Sequence, residues 1–238
     1  MNRLLALPLL VFFSCFVHAV DIRPYTAEYR GEYQGLPVKA KGIRELRRLE
    51  DGSYRLTSSA RAMFMNVEEV TEFNLREGLV VPVAYDYQRK MFGRKKEESV
   101  TFDWQAMLAS HEGTTSKLTP GTLDKLGYQV QLRMDVAHAL EKEEAVQPSL
   151  EYTIADEEKR KDYSFTLVGE ETLSTPAGEL RTVALERYRE DKDRRTTVWL
   201  ALDHQLLLVR LKQEEPDKGF ELNLEKFQFA SDVEVANN

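Results

Sequence analysis

Apolar and polar side chains alternate with a period of two along most of this 238-residue chain. The segment 54–64 shows the pattern clearly, because Tyr54 and Leu56 fall on one face. Arg55 and Arg61 fall on the opposite face of the same segment. This alternation is typical of a half-buried β-strand, whose successive side chains point to opposite sides of a sheet. The chain is therefore predicted to be mainly β.

The alternating segments form two meanders, at 24–104 and 149–230, in which residues with turn chemistry separate the strands. The first meander is predicted to contain strands at 24–33, 38–49, 54–64, 67–75, 83–92 and 97–104. The second is predicted to contain strands at 150–154, 162–168, 180–188, 195–201, 205–213 and 220–229. Many short antiparallel strands at this spacing predict a curved open barrel or a sandwich-like sheet.

One segment departs from the period of two, and a central helix is predicted at about 121–140 within an insert at 119–141. Its apolar residues recur every three or four positions on two sides. One stripe contains Leu123, Leu126, Val130, Met134 and Ala137. The other stripe contains Tyr128, Leu132, Val136 and Leu140. Either both stripes pack in the core, or the second stripe is the wall of a lipophilic groove inside the sheet.

Residues 1–19 have the pattern of a secretory signal peptide. Arg3 supplies a positive charge, an apolar run extends to Val17, and Ala19 is suitable for cleavage. The run is shorter than the roughly 20 residues that a membrane-spanning helix needs. Cys15 lacks the preceding residues of a lipoprotein signal, so we expect it to be removed with the signal peptide. The remaining chain is predicted to be soluble in the periplasm.

The mature segment 20–238 is predicted to be a single β-rich domain without cysteine, and hence without a disulfide. The whole chain has 33 basic and 40 acidic residues, which gives a formal net charge of −7. A net acidic chain argues against nucleic acid as the main partner.

Motifs of enzyme chemistry are absent from the sequence. The histidines His111, His138 and His204 have no metal-ligand spacing, and no nucleophile elbow or phosphate-binding glycine loop occurs. Ser110 and His111 are adjacent, and adjacent residues on a strand point to opposite faces. Asp135 and His138 are explained by a polar helix face. No catalytic residue, metal site or cofactor is predicted.

A basic hairpin at 89–96 is the most suggestive surface feature of the chain. Its five cations, Arg89, Lys90, Arg94, Lys95 and Lys96, surround Met91 and Phe92 at a turn that contains Gly93. Such a tip is suited to anionic lipid head groups or an acidic envelope protein. The alternative is a solvated hairpin whose charges discourage aggregation between strands.

Several short motifs resemble the exported family called domain of unknown function 3108. They are Tyr33-Gln34-Gly35-Leu36-Pro37-Val38, Met63-Phe64 with Glu68-Glu69, Tyr85-Asp86-Tyr87-Gln88-Arg89, Phe102-Asp103-Trp104 and Thr175-Pro176-Ala177-Gly178 with Trp199-Leu200-Ala201. The resemblance covers nearly the whole mature chain. It implies an antiparallel β protein of the proteobacterial envelope, and it implies no activity and no site residues.

Three classes of function remain after these exclusions. The first is a non-catalytic protein that binds a hydrophobic or lipid-like envelope ligand in a curved sheet. The second is an accessory or assembly factor that contacts an envelope or secretion protein. The third is a hydrolase whose site no motif reveals. A large apolar cavity favours the first class, and a continuous exposed apolar or basic patch with no cavity favours the second. Convergent titratable residues in a cleft would favour the third.

Overall fold

The computed structural model describes residues 22–33, 39–141, 149–156, 159–190 and 193–231. The predicted signal peptide at 1–19, together with Cys15, lies outside the described residues.

Fifteen strands and one helix make up the described structure. The first eight strands are β1 (Tyr25–Tyr33), β2 (Lys39–Arg48), β3 (Tyr54–Ala62), β4 (Met65–Arg76), β5 (Leu79–Met91), β6 (Arg94–Asp103), β7 (Leu108–His111) and β8 (Thr114–Lys117). A short β9 (Thr122–Leu123) and the helix α1 (Gly127–Glu141) follow. The remaining strands are β10 (Ser149–Asp156), β11 (Lys159–Thr175), β12 (Gly178–Arg189), β13 (Arg194–Ala201), β14 (Leu207–Glu215) and β15 (Lys218–Phe229).

All strands belong to one sheet, in which each meander keeps its sequence order. The order is β8-β7-β6-β5-β4-β3-β2-β1-β15-β14-β13-β12-β11-β10-β9. The two meanders join where β1 pairs antiparallel with β15, and only β9 is parallel to its neighbour, β10. The edge strands β8 and β9 do not pair with each other, so the curved sheet stays open and does not close into a barrel. The prediction of a mainly β, open-barrel-like fold is confirmed.

Bulges interrupt the strand register and help the sheet to curve. The register shifts between Glu28 and Tyr29, and again between Trp199 and Leu200. A bulge bends its strand and increases the local twist. The concave face then encloses one continuous apolar core, which includes Phe73, Phe165, Leu185, Leu207 and Leu224.

Two features of the strands differ from the prediction. β7, β8 and β9 were not predicted, since they have only two to four residues each and show little alternation. β11 extends to Thr175, whereas a strand ending at residue 168 was predicted. The reason is a bulge between Leu167 and Gly169, which shifts the alternation of apolar side chains in the middle of the strand.

The helix lies within the concave face of the sheet and begins later than predicted. The Asp124 carboxylate accepts hydrogen bonds from the backbone N–H groups of Leu126 and Gly127, at 2.8 and 2.6 Å, and so caps its first turn. Leu123 belongs to β9 and Leu126 precedes the helix. Most residues of both predicted stripes are core, since Val130 and Val136 are fully buried, whereas Leu140 at the end of the second stripe is exposed.

Candidate functional site

A cavity of about 510 Å³ lies inside the curved sheet, beside the N-terminal end of α1. Strands β1 to β5 and β13 to β15 contribute its lining, and Gln129 contributes from the helix. The cavity reaches the end of the sheet where the hairpins turn, because Met65 and Met91 line it. These are the first residue of β4 and the last residue of β5.

The middle of the cavity wall is formed by small and aliphatic residues. Ala60, Val67, Leu211 and Leu222 are among the residues that line it. Gly42 also lines the cavity, and a Cβ atom at this position would lie 3.2 Å from the Cβ atom of Tyr29. The glycine therefore keeps open a space that a side chain would crowd.

The inner end of the cavity is polar because one row of paired residues crosses four strands. Arg44 of β2 is paired with Ser58 of β3, which is paired with Glu69 of β4. Glu69 is in turn paired with Tyr87 of β5. All four residues line the cavity. We call this row, together with Gln129 of the helix, the polar floor.

Arg44 is the most unusual residue of the polar floor. It is only 6% exposed, and its Nη1 atom donates a hydrogen bond of 2.7 Å to the Gln129 side-chain oxygen. Its Nε atom is buried without a hydrogen-bond partner. Among the residues that the structure describes, Arg44 forms no ion pair with an aspartate or glutamate. The hydrogen-bond partner of this buried guanidinium group is thus a neutral amide and not a carboxylate.

Glu69 is the acidic member of the polar floor. Removal from bulk water raises the pKa of its carboxyl group to about 7, although the nearby Arg44 charge and a hydrogen bond from Tyr85 favour the ionised form. The Tyr85 hydroxyl donates this bond to Glu69 Oε1 over 3.3 Å. The Glu69 side chain is half-buried and lines the cavity, so the surrounding protein removes part of its contact with bulk water.

The hairpin end of the cavity carries a second set of charges. Arg194 and Glu215 line the cavity and form an ion pair with each other. Arg89 also lines the cavity and has no carboxylate partner in the described part of the chain. The net charge of the described cavity lining therefore depends on whether Glu69 is ionised.

The predicted groove wall on α1 does not line this cavity. Tyr128, Leu132 and Val136 are buried in the core, and Leu140 is 40% exposed. Tyr128 and Leu132 border a separate space of about 20 Å³. The helix instead presents Gln129 to the cavity, a residue that lies between the two apolar stripes.

The residues of the predicted basic hairpin are divided between the cavity and the surface. Arg89 and Met91 line the cavity, Lys95 pairs with Glu97, and Lys96 pairs with Glu98. Lys90 and Arg94 are exposed and have no carboxylate partner among the described residues. Phe92 and Gly93 form the turn, and both have positive φ, as in the tight turns of hairpins.

The tip of the neighbouring β3–β4 hairpin lies against this turn. Phe64 and Phe92 stack with their ring centroids 4.5 Å apart, and the Phe92 N–H donates to the Phe64 carbonyl. Phe92 remains 61% exposed, and Met63 is 94% exposed. Together these residues form an exposed apolar patch beside cations. We call Met63, Phe64, Lys90, Phe92 and Arg94 the two-tip surface.

The other chemically suggestive residues have structural partners. The Nδ1 atom of His111 lies 2.8 Å from the Ser99 carbonyl oxygen. Asp135 accepts hydrogen bonds from Gln131 and the Tyr152 hydroxyl, both at 2.8 Å. Within the described ranges, no cluster of three or more His, Cys, Asp or Glu residues is placed to hold a metal ion. No helix in the same ranges is long and apolar enough to span a membrane.

An open, largely antiparallel sheet that wraps around a helix and a cavity defines a barrel-like class of protein. The chain belongs to the DUF3108 family, described as a protein of unknown function, whose model matches residues 25–225. This match confirms the family resemblance of the sequence motifs. No curated protein sequence matches the chain.

Three solved structures align with most of the chain at low sequence identity. A β-barrel-like DUF1849 protein from Brucella abortus has a TM-score of 0.60 and 9% identity, over 90% of this chain and 100% of that chain. A putative lipoprotein from Parabacteroides distasonis has a TM-score of 0.32 and 10% identity, over 87% and 96% of the two chains. A DUF1329 protein from Desulfovibrio piger has a TM-score of 0.28 and 12% identity, over 89% and 88%. Only the first supports the fold.

Proposed function

We propose that this protein is a non-catalytic binding protein of the periplasm that holds a hydrophobic or lipid-like envelope ligand inside its curved sheet. The observation that carries the proposal is the cavity of about 510 Å³. Its volume falls within the range of roughly 300–1,000 Å³ that is usual for ligand pockets. Small and aliphatic walls with a few placed polar groups are suited to a ligand that is mostly apolar.

The proposed location in the periplasm is based on the pattern of residues 1–19, which precede the described structure. Expression of the full chain in a Gram-negative host tests it directly. We expect a mature protein that begins near Val20 and is released by osmotic shock. Membrane-bound, acylated protein that becomes soluble after Cys15→Ser substitution would contradict this expectation.

Native mass spectrometry of the protein purified from the periplasm tests the binding proposal. We expect a bound amphipathic molecule, or uptake of N-phenyl-1-naphthylamine by the delipidated protein with an increase in fluorescence. Ala60 lines the cavity, so Ala60→Trp should fill part of the space and abolish the fluorescence increase.

Thr57→Trp is the matched control for this experiment. Side chains alternate along β3, so Thr57 lies on the opposite face of the same strand from Ala60. This variant should bind the probe as the wild type does. Equal binding by the Ala60→Trp variant, or no probe uptake by any folded form, would count against the cavity as a binding site.

The two-tip surface favours a second candidate function, in which the protein contacts an anionic membrane or an envelope protein. Met63 and Phe92 are exposed apolar side chains at the hairpin end of the sheet. Lys90 and Arg94 are exposed beside them. Apolar side chains that enter an interface and cations that attract acidic head groups are the usual elements of peripheral binding.

Co-sedimentation with vesicles that contain phosphatidylglycerol tests this second candidate. The double variant Met63→Asp/Phe92→Asp should lose binding at low salt and remain folded, with a native circular dichroism spectrum. Val168 is also a largely exposed apolar residue, at 62%, but it lies on β11. Val168→Asp should therefore leave vesicle binding unchanged. If the wild type does not sediment with these vesicles, the two-tip surface is not a membrane contact.

A further inference from the structure

We propose that the polar floor binds the anionic head group of the ligand, and that Arg44 is the residue that recognises it. The ligand class would then be a single-chain amphipath with a carboxylate or phosphate head. The proposal rests on the proposed function, since it names the ligand of the same cavity. Its basis is the surroundings of one buried guanidinium group.

The first argument is the unsatisfied hydrogen bonding of Arg44. A buried charge is unfavourable unless it is paired and hydrogen-bonded. Arg44 is 6% exposed, it donates a hydrogen bond to the neutral Gln129 amide, and its Nε atom has no hydrogen-bond partner among the described residues. An oxyanion at the floor would supply the missing charge and an acceptor for this side chain.

The second argument is that Glu69 does not replace such an anion. Glu69 is in the same row as Arg44, yet it accepts its hydrogen bond from the Tyr85 hydroxyl and not from Arg44. Burial raises the pKa of Glu69 to about 7, which shows that the Arg44 charge only partly offsets its desolvation. In its protonated form Glu69 is neutral, and Arg44 is then the only charged side chain of the floor.

The third argument is the sequence of polar and apolar groups along the cavity. Above the floor, the next row of paired inward residues is Gly42, Ala60, Val67 and Arg89, so three of its four positions carry small or aliphatic residues. Met65 and Met91 lie nearest the hairpin turns. Four residues along β5 separate Tyr87 of the floor from Met91, which corresponds to about 13 Å of strand. An amphipath would thus place its head at Arg44 and its chain along the apolar wall.

Isothermal titration calorimetry with a set of ligands of equal chain length tests this assignment. The anionic ligands are dodecanoate and dodecyl phosphate, the neutral ligand is dodecyl maltoside, and inorganic phosphate tests the head group alone. We expect wild-type protein to bind both anionic amphipaths more tightly than the neutral one, and free phosphate weakly. Arg44→Gln should weaken binding of the anionic amphipaths about tenfold, as expected for loss of a charge-assisted hydrogen bond.

Three further variants test whether the effect on binding is specific to the polar floor. Arg44→Lys should retain part of the preference for anions, and Glu69→Gln should strengthen binding of the anionic amphipaths above pH 7. Arg47→Gln is the matched control, because Arg47 lies on the same strand with an exposed side chain that pairs with Glu45. It should bind every ligand as the wild type does.

The possible results separate this inference from the proposed function. Unchanged binding of dodecyl maltoside by Arg44→Gln shows that the variant is folded and that the loss is specific for the anion. If anionic and neutral amphipaths bind wild type and Arg44→Gln equally, the head-group site is refuted while the cavity remains a binding site. If no amphipath binds the folded wild type, both proposals are refuted.

Discussion

The polar floor contains a basic and an acidic side chain that are neighbours without a direct ion pair. Arg44 is bound to Gln129, and Glu69 is bound to Tyr85. Burial acts on the two groups differently, because a guanidinium group stays charged in proteins, whereas a carboxyl group can become neutral by taking up a proton. Glu69 is therefore the residue of the floor whose charge depends on pH near neutrality.

This property of Glu69 predicts that the protein becomes less stable as pH rises through 7. The pKa of Glu69 is raised from 4.5 to about 7, so between these values the folded state holds a proton that the unfolded state has released. Stability therefore falls with rising pH across this window. Urea denaturation should measure this as the difference in free energy of unfolding between Glu69→Gln and wild type. We expect this difference to be about 2 kcal/mol more in favour of the variant at pH 8 than at pH 5.

The control for this prediction is Glu68→Gln, on the same strand. Side chains alternate along β4, so Glu68 faces away from the cavity, and it does not line it. Its effect on the free energy of unfolding should be small and nearly the same at both pH values. If the free energy of unfolding depends on pH equally in the wild type and in Glu69→Gln, then Glu69 stays in one protonation state over this range. The groups that would hold it there are Arg44, Tyr85, Asp124 and Lys125.

At the level of elements, the start of α1 depends on a buried cap. The Asp124 carboxylate accepts two backbone N–H groups and the Thr71 hydroxyl, which donates over 2.7 Å. Asp124→Ala would leave three buried donors without an acceptor. We expect a loss of about 2–3 kcal/mol in the free energy of unfolding, measured by urea denaturation.

Asp103→Ala provides the comparison, because the Asp103 carboxylate also accepts two backbone N–H groups, from Gln105 and Ala106. These bonds lie in an exposed turn, where water can replace the lost acceptor. The loss at this position should be about 1 kcal/mol or less. Equal losses at both positions would mean that burial of the Asp124 cap adds nothing to the stability of the helix.

The position of α1 inside the sheet gives a second prediction at this level. Met134→Asp places a charge in the core without a partner, which should cost several kcal/mol and unfold a domain of ordinary stability. His138→Asp, on the exposed part of the same helix, should leave the melting temperature nearly unchanged. A native circular dichroism spectrum and melting temperature for Met134→Asp would contradict the packing of α1.

The alternation of side chains was enough to predict most strands, because each strand buries one face against the core. The start of α1 was placed too early because Leu123 and Leu126 are apolar at helical spacing, although they are buried as a strand and a connecting segment. The polar floor was not predicted, since Arg44, Glu69 and Gln129 come from distant segments and only strand register and helix docking bring them together. The sequence did contain one signal for the polar floor, which is a charged residue at an inward-facing position of a strand. Arg44 lies between Gly42 and Leu46 on the same face of β2.

For the whole molecule, the open sheet joins the core and the cavity in a single continuous structure. The helix packs with the core at one end of the concave face, and the cavity extends from α1 toward the hairpin turns. β2 contributes Leu46 to the core and Arg44 to the polar floor. A ligand in the cavity would therefore contact strands of both meanders, and its binding should stabilise the sheet as a unit.

This arrangement predicts that an anionic amphipath raises the melting temperature of the whole domain in one transition. A ligand that binds only the folded state at a concentration of 100 times its Kd adds about 2.7 kcal/mol. For a domain of this size, that corresponds to an increase of about 5–10 °C, measured by differential scanning calorimetry with dodecanoate. Ala60→Trp should lose this increase because it fills the cavity, whereas Thr57→Trp should keep it. A second transition that dodecanoate leaves unshifted would show that the two meanders unfold independently and that the ligand contacts only one of them.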